Sequence, residues 1–141
     1  MADSSDEPIV VSHDQLAETQ FPGVVRWQAF AEGHHAHADD QEIWVGQTRN
    51  EPGQWSSWHI HPHCVTYGYE ITGRLRVEFG PGGSKSIEAG PGDFVRIPAG
   101  IIHREGSLGD TPRTGIGVRI GNGPFVVNVD GPERPATAPG S

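Results

Sequence analysis

Three histidines stand at alternate positions of the segment WHIHPHC, at residues 59, 61 and 63. Residues two apart in a β-strand point to the same side, so His59 and His61 would present two imidazoles next to each other. Imidazole nitrogen binds zinc, copper, iron, nickel and similar metals. A His-x-His pair alone is weak evidence for a metal site, because it also occurs in ordinary exposed strands. A third ligand from a distant segment would strengthen it greatly.

His103 is the distant candidate, since no other histidine follows residue 63. It ends the segment GDFVRIPAGIIH, in which a strand ends at Pro98 and Ala99 and Gly100 turn the chain. We expect His103 to open the next strand. If that strand lies across the fold from residues 59–61, the three imidazoles converge on one point.

The elements that position these histidines are predicted to be short strands. The chain has 20 glycines and 12 prolines, which is usual for strands joined by tight turns. In RLRVEF, Leu75, Val77 and Phe79 alternate with polar residues, which is typical of a sheet with one wet face. Only SHDQLAETQ, from Ser12, predicts a turn or two of helix. The predicted strands are 24–30, 42–48, 55–61, 65–71, 74–80, 84–89, 93–98, 115–120 and 125–129.

This spacing of strands predicts one all-β domain, a sandwich or barrel, over residues 9–130. Residues 1–8 are expected to form a flexible arm, and 131–141 a flexible Pro-rich tail. The HHAH stretch at 34–37, followed by Asp39 and Asp40, is interpreted as a solvated loop and not as a second metal site.

Charge and composition exclude several functions. The formal net charge is −8, without a basic patch, so nucleic acid is not an expected partner. No apolar run approaches the roughly 20 residues needed to cross a membrane. The acidic N-terminus is unlike a signal peptide, and the single cysteine, Cys64, excludes an internal disulfide. A cytoplasmic protein is the default prediction.

Two segments resemble the motifs of the cupin superfamily. One cupin motif reads Gly, five residues, His-x-His, and later Glu and Gly; residues 53–73 match it around the histidines at 59 and 61. The other reads Gly, five residues, Pro-x-Gly, two residues, His; residues 92–103 match it in register. The resemblance covers roughly residues 40–130. It implies a single-domain jelly-roll β-barrel of about nine or more short antiparallel strands and, by analogy, a homodimer.

The chain departs from the cupin pattern at one ligand. The family's glutamate should fall at position 65 or 66, where this chain has Val65 and Thr66. The remaining histidines, 59, 61 and 103, resemble the three-His subset of cupins. His63 is a possible fourth ligand, since alternation places it on the same face, but Pro62 is expected to end the strand and turn it away.

An all-histidine site accepts most first-row metals, so one divalent transition metal per chain is expected. The resemblance to three-His cupins, many of which are dioxygenases, implies iron first, with zinc, nickel, manganese or copper as alternatives. Neutral ligands leave the metal's double charge intact, which favours an anionic substrate such as an enolate or a carboxylate. Three protein ligands also leave open coordination positions, which catalytic metals need.

Other residues are candidates for the lining of the site. Glu70 is predicted on the interior face, where it would act as acid or base or hydrogen-bond a metal-bound histidine; alternatively it faces water or pairs with an arginine such as Arg96. Trp55, Arg96 and Thr66 are candidates for substrate binding. Tyr67 and Tyr69 are expected to pack on the opposite face. Phe94, Val118 and Ile120 are expected in the core, and Cys64 as a small buried apolar residue.

Three functions remain open. The leading hypothesis is a mononuclear non-heme metal dioxygenase acting on a small enolisable or phenolic substrate. The second is a zinc- or nickel-dependent cyclase or isomerase acting on a polyketide-like or sugar-derived compound, because zinc has no redox chemistry. The third is a non-catalytic barrel that binds a small molecule, because a fold does not determine a function.

Overall fold

The structure, a computed structural model, describes residues 7–31, 37–38 and 41–133, and the side chains of 37–38 are left out of it. The HHAH stretch and the two aspartates after it therefore lie outside the described side chains. The predicted arm before residue 7 and the tail after residue 133 also lie outside the described residues. Within the described part, no helix is long and apolar enough to cross a membrane.

The described strands form two antiparallel sheets, as the all-β prediction requires. The larger sheet contains, in spatial order, β1 (Ala17–Phe21), β2 (Val24–Ala29), β4 (Gln41–Asn50), β11 (Arg113–Asn122), β6 (His63–Thr72) and β9 (Phe94–Ile97), with β3 (His37–Ala38) paired to β4. The smaller sheet contains β12 (Val127–Asn128), β5 (His59–Ile60), β10 (His103–Leu108), β7 (Arg74–Phe79) and β8 (Lys85–Ala89). A short 3-10 helix, Pro81–Gly83, joins β7 to β8.

Two segments differ from the predicted elements. The SHDQLAETQ stretch begins with one 3-10 turn, His13–Gln15, in which the backbone N–H of Ser12 donates to the Gln15 side chain. The chain then enters β1 and not a longer helix, because pairing with β2 supplies its backbone hydrogen bonds. The predicted strand 55–61 is reduced to His59–Ile60, while Trp55 makes only an isolated bridge to Gly106.

The apolar core lies between the sheets. Leu75 and Val77 of β7 are buried there, as their alternation predicts, and Ile97 of β9 packs against them from the larger sheet. Phe94 was expected in the same core and is instead 80% exposed. The prediction was wrong about which face of β9 is buried, because Val95 and Ile97 face inwards and Phe94 faces outwards.

The inward positions of β11 also differ from the prediction. Val118 and Ile120 were expected in the core, but the fully buried positions are the alternate ones, which include Gly117, Arg119 and Gly121. Apolar content alone therefore indicated the wrong face of this strand as the buried one. β11 therefore presents glycines and arginines to the interior and its aliphatic residues to the other face.

Three glycines lie next to one another on the inner face of the larger sheet. Gly117 pairs with Gly46 of β4 on one side and with Gly68 of β6 on the other. The three positions differ in how much free space surrounds a side chain placed there. A Cβ at Gly46 would lie 2.4 Å from the Trp27 carbonyl oxygen, whereas one at Gly117 would approach only the Trp44 ring, at 3.7 Å.

This difference predicts opposite effects of one methyl group on two paired residues. Gly46→Ala should lower the free energy of unfolding by about 1–3 kcal/mol, because neither backbone nor indole can yield without repacking. Gly117→Ala should leave it unchanged or raise it by up to about 1 kcal/mol, because the unfolded chain loses freedom. Urea denaturation of both variants measures the contrast. Equal destabilisation would contradict the packing described for this face.

Candidate metal centre

His59, His61 and His103 converge at one place in the interior. His59 and His103 are direct partners in the smaller sheet, and His61 follows β5. All three are buried, with at most 1% of their surface exposed. Their ligand atoms lie within 4.8 Å of one another, and their ring centroids are 4.3–5.0 Å apart. The predicted convergence of a His-x-His pair with a distant histidine is present.

Each imidazole is held through the same nitrogen. Nδ1 of His59 lies 2.8 Å from the Ser57 carbonyl oxygen, and Nδ1 of His103 lies 3.0 Å from that of Ile101. Nδ1 of His61 bonds to the carbonyl oxygen of Phe125. With Nδ1 as the donor, Nε2 carries the free lone pair.

The opposite ring nitrogens are left for a ligand. Nε2 of His59 and Nε2 of His103 are buried without a hydrogen-bond partner among the described residues. A buried nitrogen without a partner costs free energy unless something else binds it. Clustered imidazoles with outer hydrogen bonds to carbonyls are the usual arrangement around a first-row metal, so the residues present fit such an ion.

The surroundings keep these imidazoles neutral. Burial lowers the pKa of His59 to about 4. Burial and then the Arg119 charge lower the pKa of His61, and burial lowers that of His103. Neutral imidazole is the metal-binding form, so the three histidines are ready ligands at neutral pH without losing a proton.

His63 lies outside this cluster. It is exposed at the start of β6 and pairs with Asn122 of the larger sheet, whereas the other three approach from β5, the residue after it and β10. Thr66, at the position where the cupin glutamate was expected, is buried, and its hydroxyl has no partner among the described residues. The missing carboxylate is therefore not supplied from β6.

Glu70 faces the interior, as alternation predicts, but its partner is not Arg96. Its carboxylate bonds to the guanidinium of Arg113, with Nε 2.9 Å from Oε2. Arg113 also donates to Thr48 and Asn50, so the pair is embedded in a buried polar network. A register shift after Glu70 marks a bulge, yet the side chain stays only 2% exposed. These contacts favour a structural role for Glu70.

Glu70→Gln should therefore act on stability. It leaves Arg113 charged and buried without a carboxylate, which costs about 3–5 kcal/mol of unfolding free energy. Glu88→Gln is the matched control, because Glu88 pairs with Arg74 at 3.2 Å on an exposed surface. That change should cost less than about 1 kcal/mol. Chemical denaturation measures both, and similar values for the two variants would contradict the role assigned to Glu70.

The two other candidates for substrate binding, Trp55 and Arg96, differ in their position relative to the histidines. Trp55 covers the outer side of β10, where a Cβ on Gly106 would lie 2.5 Å from its ring, and Arg104 stacks on it. Arg96 is exposed on the edge strand β9, opposite Tyr67, and contributes to the wall of a cavity beside His103. Tyr67 and Tyr69 lie on the outer face, where they are partly exposed.

That cavity is the open space next to the candidate metal centre. Its volume is about 270 Å³, near the lower limit for small-molecule sites. Apart from Arg96 and His103 its walls are apolar, and they are formed by Val77, Phe79, Ile87, Ile97, Pro98 and Ile101. A compact organic molecule with an apolar body would fit it.

Three charged residues near the histidines were not predicted. Glu105 is two residues after His103 on the same face of β10, and Arg26 contacts it at 3.3 Å. Burial by itself raises the pKa of Glu105, but His59 and Arg26 hold it below its usual range. Arg119 is buried in β11 and stacks on Trp44 at 4.3 Å. Strand alternation starting from His103 would have predicted that Glu105 faces the interior. For Arg119, the glycines at every second position around it indicated that this face of the strand is the inner one.

The fold and the site together define a small β-sandwich with a buried cluster of three histidines that could hold a metal ion. Residues 46–114 match the family described as "Cupin domain". The chain belongs to the cupin superfamily, and its two sheets are the predicted jelly roll. No curated protein matches the sequence of the chain.

Several solved structures resemble the chain. An oxalate oxidase in complex with the substrate analogue glycolate is 26% identical over 62% of this chain, with a TM-score of 0.54. The chain spans about half of that protein, namely 46% of its length. The oxalate decarboxylase of Bacillus subtilis, with Mn(II) centres, is 22% identical over 78% of this chain and 30% of its own, with a TM-score of 0.63.

A third structure matches in size as well as in fold. The polyketide cyclase RemF from Streptomyces resistomycificus is 18% identical over 87% of this chain and 86% of its own, with a TM-score of 0.67. At this identity, as for the decarboxylase, the likeness shows a shared fold alone. The comparisons therefore support a cupin with a metal site, and the reaction has to be argued from the site.

Proposed function

We propose that this cupin is a mononuclear non-heme metal enzyme, specifically a dioxygenase acting on a small enolisable or phenolic compound. The observation that carries the proposal is the set of buried imidazoles whose Nε2 atoms, in His59 and His103, have no protein partner. Three imidazoles accept most first-row metals, so iron is proposed because a dioxygenase needs a redox-active metal. Manganese is the alternative that the similar decarboxylase suggests, since that protein is described with Mn(II) centres.

The metal would supply open coordination positions, Lewis acidity and, if redox-active, electron transfer to dioxygen. The chain's own contribution is to orient the three imidazoles and to hold the substrate. The carbonyl groups of Ser57, Phe125 and Ile101 fix the three rings. The apolar walls of the cavity beside His103 hold the organic body of the substrate.

The charges around the site favour a substrate that is an anion when it reacts. The imidazoles are neutral, so they do not offset the double charge of a metal. Arg26 and Arg119 add two buried positive charges nearby, against the one negative charge of Glu105. An enolate or phenolate is stabilised in this environment, which agrees with the proposed substrate class.

Elemental analysis of purified protein tests the metal centre. The wild type should carry about one equivalent of iron or manganese, and His103→Ala should lose most of it, because one of three ligands is removed. His13→Ala, an exposed histidine on the 3-10 turn, is the control and should keep the metal. Since His63 lies outside the cluster, His63→Ala should also keep it. Full retention in His103→Ala would contradict the site.

The identity of the metal and oxygen uptake then separate the three functions. Iron or manganese with oxygen consumption on adding enolisable or phenolic compounds is the expected result. Zinc or nickel without oxygen uptake would instead favour the cyclase or isomerase hypothesis, because zinc has no redox chemistry. Absence of any metal from the wild type would favour a binding protein.

We also propose that two copies of this chain associate through the outer face of the larger sheet. Phe94, Tyr67 and Ile116 are 80%, 45% and 40% exposed there, and Tyr69 packs against Phe94. These four residues carry no charge in a chain whose net charge is −8, so this surface lets two copies meet with little repulsion.

Light scattering should give twice the 15.2 kDa chain mass. Phe94→Glu should weaken the dimer at least tenfold, because it places a charge at the most exposed residue of the apolar surface. Val10→Glu, at an exposed apolar residue elsewhere, is the control. A monomeric wild type would refute this interface.

A further inference from the structure

Arg119 is a buried cation that stacks on Trp44 but forms no ion pair with any residue that the structure describes. It is 3% exposed, and its Nε and one terminal nitrogen have no hydrogen-bond partner among the described residues. Its direct neighbour in the sheet is Thr66, whose hydroxyl is also buried and unpartnered. Both side chains line the same interior cavity. Two adjacent unpaired donor groups in one cavity indicate a missing acceptor.

The other buried charges do not neutralise Arg119. Among the buried residues described there are three arginines and two glutamates. Glu105 contacts Arg26 at 3.3 Å, and Glu70 binds Arg113. Neither carboxylate forms an ion pair with Arg119 in the described structure. The interior of this acidic protein therefore carries one excess positive charge, located at Arg119.

The cavity has room for an acceptor. Its volume is about 50 Å³, well above what one water needs. Gly68 and Gly117 form part of its wall, and the absence of their side chains creates the space. A Cβ at either glycine would find no atom closer than 3.6 Å. The space is therefore open at both positions.

The cavity shares a wall residue with the space beside the candidate metal centre, although none of the three histidines lines it. Glu105 lines it two residues after His103, and Ile97 lies on the walls of both this cavity and the 270 Å³ cavity beside His103. The Arg119 charge also lowers the pKa of His61, which places the guanidinium within electrostatic reach of the histidines.

We propose that Arg119 and Thr66 form a buried oxyanion subsite that binds a carboxylate group. The Arg119 guanidinium has nitrogens without a protein partner that can donate charge-assisted hydrogen bonds to a carboxylate oxygen, and the Thr66 hydroxyl adds a further donor. Stacking on Trp44 fixes the plane of the guanidinium. The assignment of this carboxylate to the substrate of the metal centre rests on the proposed function. The binding of a carboxylate at Arg119 does not depend on that function.

Acetate is the probe, titrated into metal-free protein by calorimetry and by tryptophan fluorescence, since Trp44 lies against Arg119. We expect saturable binding of one acetate, and at least tenfold weaker binding of acetamide, its neutral analogue. Arg119→Gln should weaken acetate binding at least tenfold, because the charge-assisted bonds are lost. Arg74→Gln removes an exposed arginine charge and should leave binding unchanged.

Two further variants decide the matter if Arg119→Gln does not fold. Thr66→Val keeps the shape and should weaken acetate several-fold without loss of stability, because it removes an unpaired hydroxyl. Gly117→Ala should fold normally and weaken acetate by partly filling the cavity. The proposal is overturned if acetate does not bind saturably, if acetamide binds equally well, or if these variants bind like the wild type.

The experiment also separates the subsite from the metal centre. His103→Ala protein that has lost its metal should still bind acetate. If acetate binding depends on Arg119 while the wild type holds no metal, the proposed function fails and the subsite stands. If the metal is present and acetate binding does not depend on Arg119, the subsite fails alone.

Discussion

The carbonyl groups that hold the imidazoles by Nδ1 are the constraint on which the site depends. Without them, His59 and His103 would be free to rotate or to exchange tautomers, and their Nε2 atoms would not share one point. Two of these carbonyls are two residues before their histidine, so the local chain path supplies them. The third belongs to Phe125, which brings the segment before β12 into the site.

Burial gives the site its second property. The histidines have lost water, which lowers their pKa values and keeps them neutral, while the interior retains arginines in excess of glutamates. A neutral ligand set beside unbalanced positive charge favours anions, although the whole chain is acidic. The inward glycines of the larger sheet contribute in a different way. They leave space where aliphatic side chains would otherwise have closed the interior.

The strands and the ligands were predictable to different extents. The alternation in β7, the turn before His103 and the spacing of His59 and His61 predicted the all-β fold and the histidine cluster. Phe94 and Val118 were misplaced, because hydrophobicity indicates a buried strand without telling which face is inside. The short length of β5 was not predictable either, since Trp55 and Ser56 contact β10 through isolated bonds and not through a ladder.

The sequence by itself determined the class of protein and the three imidazoles, because motif spacing and strand alternation are local properties of the chain. The tertiary structure decided the partners of the charged residues. Glu70 binds Arg113, 43 residues away, and Glu105 binds Arg26, 79 residues away. It also decided that Arg119 has no such partner within the described ranges 7–31 and 41–133. Pairing of buried charges depends on which strands become neighbours across and within the sheets, and no local pattern carries that information.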